Sequence, residues 1–449
     1  MCAAVSTMWD RACGARRGAG YRNAVRAVIV VPDAASARAS GTPGGLSLLE
    51  RQLRQLRALG HGPATLLVAA DVPEAVARAA QVADVHRSAA ADPFVALQAA
   101  AAHLPETFLV LSADHLIDAR VLRHAAAAAE DTLLVDARRG RLPIGRLTRT
   151  ALLRDGMDAF TRARALRLDA LDPYAPELRG RVAPYCLPMR SADERRAAWP
   201  VLLDHVQKRG LDLPGAYFDT PFENVLVRLL ASTRVTPNQV TLATLVLAVL
   251  VGWLFWHGQL ALGLALALVV GVLDGVDGKL ARLKLATSKL GELEHVGDFL
   301  YENLWYLALA RGFAVTGGPL FWRAGALLVC CDLIDNLAYG TVSARTGRLL
   351  DELSPFDAAF RRIGGRRNVY VWIILLAACL RRASLGFVTA SVWAAVTAAV
   401  HVSRAIYWRL VEPPPAASSG GRGSLGSRRP ALAGDPSVAE PAGVVVLEK

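Results

Sequence analysis

Between Arg26 and Arg138 short apolar runs alternate with longer amphipathic ones. The runs AVIVVP (27–32), ATLLVAAD (64–71), TFLVLSADH (107–115) and DTLLVDAR (131–138) have the length of buried strands. Between the first two, LSLLERQLRQLRALG (46–60) places leucines at 46, 49, 53 and 56, so it predicts an amphipathic helix. Strands alternating with helices predict an α/β domain over residues 26–210, with a mostly parallel, doubly wound sheet. Its ligand edge is expected at the carboxyl ends of the strands.

The pattern changes near Leu213. FENVLVRLLASTRV (222–235) is amphipathic, with Arg228 and Arg234 on its polar side, and predicts a juxtamembrane helix within 213–238 that lies along a membrane surface. Apolar blocks then follow at 240–257, 260–273, 299–315, 320–338, 369–380 and 385–408. A helix needs about 20 residues to cross a bilayer core, and the second block reaches that length by continuing through Ala281. These blocks predict an all-α, six-helix transmembrane domain over 239–411, with both ends on the same side. Residues 1–25 read as a mobile leader. EPPPAASSGGRGSLGSRRP opens a segment, 412–449, with the composition of a disordered tail.

Composition sharpens this picture in three ways. Hydrophobic residues make up 53% of the chain, high for a water-soluble protein, and the excess falls in the second half. The formal net charge is +12, yet the basic residues collect in loops between apolar blocks without aromatic interleaving. That argues for a membrane partner and against nucleic acid. The loops at 279–289 and 345–367 are strongly basic and are expected to be cytoplasmic; Arg381 and Arg382 fall on the opposite side in this scheme. The opening MCAAVSTMWDRACGARRGAG has no apolar stretch of the signal-peptide kind, so the first half is expected in the cytoplasm. Six cysteines without ligand spacing indicate neither a disulfide framework nor a zinc site.

Candidate chemistry concentrates in DGVDGKLARLKLATSKLGELEHVGD, 274–298. Asp274, Asp277 and Ala281 share one helix face. Carboxylates at the end of a membrane helix are costly to bury, and two on one face suit a divalent cation; oxygen ligands favour magnesium or manganese. Gly278 permits close approach to the backbone, and Arg282 adds a cation suited to phosphate. A pair of interfacial aspartates facing headgroup water is the plainer alternative.

Asp274-x-x-Asp277-Gly278-x-x-Ala281-Arg282, followed after eight residues by Gly291, resembles the signature of the CDP-alcohol phosphotransferases. That resemblance implies a six-helix membrane enzyme that uses two metal ions to move a phosphoalcohol from a CDP-alcohol to an acceptor hydroxyl, releasing CMP. The family pattern puts aspartates four and eight residues after the second glycine, where this chain has His295 and Phe299. LGELEHVGD resembles the LGELFDHGCD ending of the choline/ethanolamine branch with one residue deleted. In that register Glu294 and Asp298 take the third and fourth acidic places. The resemblance then implies metal ligation by Asp274, Asp277, Glu294 and Asp298, with Asp298 as catalytic base. It gives CDP contacts to Gly278, Ala281, Arg282 and Gly291, although the slip moves Gly291 out of register.

TPNQVT (236–241) resembles the family's entry to its first membrane helix, where Asn238 either reaches the site or belongs to a helix cap. Arg361, Arg362, Arg366 and Arg367 are candidates for holding an acceptor phosphate, or are positive-inside anchors. Asp332 and Asp335 read as interior polar contacts or as functional groups in equal measure. A homodimer is expected by resemblance alone.

PGGLSLLERQLRQLRALG and TFLVLSADH resemble parts of a sugar-phosphate nucleotidyltransferase domain, of the kind fused to the membrane half in some inositol-phosphate cytidylyltransferase/di-inositol-phosphate-phosphate synthases. Here AVIVV runs into PDAASARAS, without the glycine-rich turn that cradles a triphosphate. Asp114 stands at a strand end where that family holds a metal. The expectation is a non-catalytic relative serving as scaffold or regulatory module. The competing reading for the whole chain is a membrane sensor that binds CDP-alcohols without turnover. A transporter is disfavoured by the absence of an internal repeat.

Overall fold

The computed structural model describes residues 25–34, 44–61, 63–72, 84–90, 92–286 and 290–411, with the backbone alone over 290–296. The expected leader, the tail and most of the segment after the first strand lie outside the described residues.

Strand β1 (Arg26–Val31) buries five consecutive residues, because it is covered on both faces and flanked on both edges. It pairs in parallel with β2 (Thr65–Ala69) and β4 (Thr107–Ser112), so that Val28 stands opposite both Thr65 and Val110. β3 (Asp84–Ser88) continues the parallel part beyond β2. The short β5 (His115–Ile117) leaves this sheet, and β6 (Thr132–Asp136), β7 (Gly140–Thr148) and β8 (Arg164–Arg167) complete it in the order β3-β2-β1-β4-β7-β6-β8. Only β7 runs antiparallel to its neighbours β4 and β6. The sheet is therefore mostly parallel, with one reversed strand that the apolar pattern did not reveal.

Helices cover both faces. α1 (Leu48–Leu59) and α3 (Ala119–Ala127) pack Leu49, Leu53, Leu56, Val121 and Leu122 on the face carrying Ile29 and Leu66. α2 (Pro93–Ala100), α4 (Arg149–Asp155) and α5 (Asp158–Arg162) cover Val28, Val30 and Leu67 on the other. α1 starts on Ser47, whose hydroxyl accepts from the Glu50 amide, and stops at Gly60 in the left-handed conformation. A two-strand ribbon (β9, Tyr174–Ala175; β10, Gly180–Arg181) and β11 (Cys186–Pro188), paired with β5, lead to α6 (Ala192–Val206).

The second half is helical. α7 (Thr220–Ala231) buries Glu223, Val227 and Ala231, while Phe222, Val225 and Leu229 form an outward apolar stripe, the placement expected of a helix lying on a bilayer. Each apolar block of the sequence lies in its own helix: α8 (Pro237–Trp256), α9 (Leu260–Lys284), α10 (Leu290–Gly317), α11 (Leu320–Thr346), α13 (Arg367–Cys379) and α14 (Ala383–Val411), with the short α12 (Pro355–Arg361) between α11 and α13. Among the described residues four of these, α8, α9, α11 and α14, are long and apolar enough to cross a membrane, and α13 is a shorter apolar helix. Trp305, Phe255, Phe387 and Leu264 form the centre of their common core. The chain is a membrane protein. Cys186, Cys330, Cys331 and Cys379 are free thiols.

Two arginines of α1 tie it to the membrane half. Arg51, buried on α1, donates to the Leu283 carbonyl at 2.5 Å, and Arg54 one turn later donates to the Lys284 carbonyl at 3.0 Å. These are among the last carbonyls of α9, which lack partners within their own helix and carry the negative end of its dipole. Gly45 (φ +68°) makes the approach possible, since a β-carbon there meets the Ala231 carbonyl at 2.8 Å. A buried, charge-assisted hydrogen bond contributes about 1.5–3 kcal/mol. Arg51→Ala is therefore expected to lower the thermal unfolding midpoint in detergent by several degrees, against little change for Arg123→Ala on the exposed side of α3.

Candidate functional site: a cleft at the end of the motif helix

α9 does not stop at its apolar block. It runs on to Lys284, so Asp274, Asp277, Gly278, Ala281 and Arg282 all lie within one continuous helix. α8 begins beside it with a capping box: the Thr236 hydroxyl accepts from the Gln239 amide, and the Gln239 side chain accepts from the Thr236 amide. TPNQ is thus a helix start built on Thr236 and Gln239, which leaves Asn238 exposed at its edge. One turn on, Thr241 donates to Asp277 Oδ2 at 2.6 Å. Between these elements opens a cleft of about 540 Å³ lined by Asp277, Gly278, Ala281, Asn238 and Thr241.

The two aspartates of the motif face different neighbours. Asp277 looks into the cleft; Asp274 accepts from Arg367 Nη2 at 2.8 Å, and Arg367 also lies 3.4 Å from Glu302 on α10. Asp298 precedes Glu302 by one turn on α10, so the two carboxylates share a helix face. The sequence marked Arg367 as a candidate for an acceptor phosphate; its contacts are with these carboxylates. The other three arginines are dispersed. Arg361 donates to the Gly210 carbonyl and lies 3.8 Å from Asp351, Arg362 is exposed, and Arg366 stacks over Tyr339.

Arg282 donates from Nε to the Val206 carbonyl at 2.7 Å, capping the last residue of α6. Its guanidinium lies over Gly278, 3.3 Å from where a β-carbon would stand. The side chains of Gly291, Glu294 and His295 lie outside the described residues. Among the described residues no three His, Cys, Asp or Glu side chains are grouped tightly enough to hold a metal ion. Asp274 and Asp277 still offer carboxylate oxygens of the kind a hard divalent cation takes, and Thr241 steadies Asp277.

Asp114 has other partners. Ser112 and His115 engage Oδ1, the latter at 2.6 Å, and Arg190 donates to Oδ2 at 2.6 Å. Burial alone raises the Asp114 carboxyl, but these hydrogen bonds and the charges of His115 and Arg190 outweigh it and hold the group well below the usual range. Asp332 accepts from Asn303 at 3.0 Å and Asp335 pairs with His401, so both make interior polar contacts.

Several residues here escaped sequence reasoning. Glu302 follows Asp298 by four positions, a helical spacing that signals a shared face. Thr241 stood inside a quoted motif but carries no charge to mark it. Two buried ion-pairing groups anchor α7: Glu223 meets Lys279 at 2.8 Å, and Gly275 leaves room for the Glu223 carboxylate. Asp219, just before α7 and outside the crossing helices, accepts from Asn368 at 2.6 Å.

Burial pushes the Asp219 carboxyl up to about 7, the Asn368 hydrogen bond opposing this and the charges of Glu223 and Asp212 adding to it. A carboxyl raised above its unfolded value of about 3.9 stabilises the fold below that pH. That contribution is lost as the pH rises through about 7. Asp219→Asn is therefore expected to raise the unfolding midpoint relative to the parent at pH 8, with the gap narrowing at pH 5.

Residues 234–348 match the family model described as CDP-alcohol phosphatidyltransferase, a span that runs from the start of α8 through α11 and contains the cleft's motif. The chain is 33% identical over 145 residues to a bifunctional IPC transferase and DIPP synthase of Thermococcus kodakarensis, covering 32% of each chain. A protein of the same description from Rubrobacter xylanophilus is 32% identical over 159 residues, covering 34% of this chain and 33% of that one. The alignments thus span about a third of the length of these curated relatives. The membrane half of this chain therefore carries a domain of the CDP-alcohol phosphatidyltransferase family.

Proposed function

We propose that this protein transfers a phosphoalcohol group from a CDP-alcohol to the hydroxyl of an acceptor alcohol or polyol phosphate and releases CMP, in phospholipid or phosphoinositol-type synthesis. The observation that carries the reading is the cleft itself: Asp277, Gly278 and Ala281 share it with Asn238 and Thr241 at the head of α8. The family match over 234–348 supports the same chemistry. The relatives described as IPC transferase and DIPP synthase make an inositol-phosphate substrate the first to try.

In this reading α10 and α13 join the four longer helices as a six-helix domain over 239–411, preceded by the α/β domain at 26–210 and the surface-lying segment 213–238. The site faces the cytoplasm across the cell membrane, where the basic loops and the α/β domain also lie. Two such chains would associate as a homodimer. The α/β domain is a non-catalytic relative of the nucleotidyltransferases, a view supported by the engagement of both Asp114 oxygens with Ser112, His115 and Arg190.

Asp274, Asp277, Glu294 and Asp298 would hold two magnesium or manganese ions. When bound, such ions neutralise a diphosphate and offset charge on the leaving CMP oxygen. The chain's own part begins with Thr241, which fixes the rotamer of Asp277 through its 2.6 Å hydrogen bond. Gly278 keeps the helix surface low beneath the Arg282 guanidinium, and that cation faces the cytidine phosphate end together with Ala281 and Gly291. Asp298 accepts the proton of the attacking hydroxyl as the new ester bond forms and the bond to CMP breaks. Arg367, beside Asp274 and Glu302, balances the negative charge behind the site and sets the acceptor side.

The test is CMP release by the purified protein in detergent with magnesium or manganese, against a panel of CDP-alcohols and polyol-phosphate acceptors. Asp298→Ala is expected to lose about 10²–10⁴-fold in kcat, the range for a removed general base. Glu294→Ala is expected to fall with it while His295→Ala stays near the parent; the reverse ranking would overturn the slipped register. Thr241→Val is expected to raise the metal concentration needed for half-maximal rate. Retained cytidine-nucleotide binding without CMP release from any pair would mean a sensor.

A further inference from the structure

The cleft has a second wall that does not belong to the membrane domain. The Gly44–Gly45 turn and Arg54, at the head and second turn of α1, line the same space as Asp277 and Gly278. Among the described residues, Arg54, Arg234 and Lys284 border it against the carboxylate of Asp277. The balance suits an anion. Lys284 is committed to the Thr233 and Val235 carbonyls, at 2.9 and 2.7 Å, and Arg234 is exposed.

Arg54 differs from both in how firmly it is placed. Nη1 donates to the Lys284 carbonyl at 3.0 Å and Nη2 to Glu50 at 2.5 Å, so the guanidinium is fixed between two helices at the mouth of the cleft. A guanidinium carries five N–H donors, and those two bonds leave others for a ligand. A fixed, planar cation with spare donors is suited to phosphate oxygens.

We propose that the α/β domain completes the donor site of the membrane domain, with Arg54 as a contact to the diphosphate of the CDP group and the Gly44–Gly45 turn as the cleft's outer wall. This deepens the function proposed above and rests on it. The glycines fit the role on steric grounds. At Gly44 (φ +89°) a β-carbon meets the Arg51 guanidinium at 2.9 Å and the Leu283 carbonyl at 3.2 Å, so a larger residue would push the wall away from α9. The domain that resembles a nucleotidyltransferase would then serve a nucleotide after all, at the start of α1 and not at the carboxyl edge of its own sheet.

The experiment is equilibrium binding of CDP, CMP and cytidine to the full-length protein in detergent with magnesium, for the parent, Arg54→Ala and Arg54→Lys. Arg54→Ala is expected to weaken CDP binding about tenfold, equivalent to about 1.4 kcal/mol, with a smaller loss for CMP and none for cytidine. Arg54→Lys is expected to recover part of the CDP affinity. The dependence on phosphate number is the readout that a merely structural arginine does not move. Equal weakening for all three ligands, or no weakening for any, overturns the contact while leaving the function reading intact. If the parent binds neither CDP nor CMP, both the donor-site reading and this proposal fall together.

Discussion

The structure depends on how the C-terminal end of α9 is satisfied. That helix carries the motif and ends at the boundary between the halves, where its last carbonyls need donors. Arg51 and Arg54 of α1 supply them at Leu283 and Lys284. The exchange is reciprocal, because Arg282 of α9 caps the end of α6 at Val206. Each half therefore terminates a helix of the other with an arginine, in the charge sense that the helix dipole favours. The tightness of Gly44 and Gly45 against Leu283 and Ala231 follows from the same docking.

This arrangement has a consequence for the motif arginine. Arg282 is the residue the family resemblance assigns to the nucleotide, and here its position over Gly278 is set by a carbonyl of the α/β domain. The α/β domain thus fixes the position of Arg282 through helix-end geometry. Meanwhile Asp114, the residue that looked most like a metal ligand there, is absorbed in tying β4 to the β11–α6 turn through Arg190.

Much of the architecture was legible in the sequence because it rests on local periodicity. Each of the quoted strands and the leucine-spaced helix formed, as did one helix for each apolar block. The reversed β7 was not legible, because GRLPIGRLT breaks its buried apolar positions with Arg141, Pro143, Gly145 and Arg146. Within the site, Asp277 and Gly278 were readable from spacing, and so was the possibility that TPNQ is a cap. What escaped was contact across long stretches of chain. Arg367 meets Asp274 across 93 residues, and Arg51 meets Leu283 across 232. Nothing local in the sequence marks such partners, and an arginine in a basic loop looks the same whether it faces phosphate, carboxylate or solvent.

In the proposed function the nucleotide of a CDP-alcohol sits between the motif helix and the head of α1. The most direct measurement is an experimental structure of the full-length protein with CDP and magnesium or manganese. Cytidine diphosphate is expected in the cleft bounded by Asp277, Gly278, Asn238 and Arg54. Nucleotide bound instead at the carboxyl edge of the β1–β2–β4 strands would contradict it and return the nucleotide chemistry to the α/β domain.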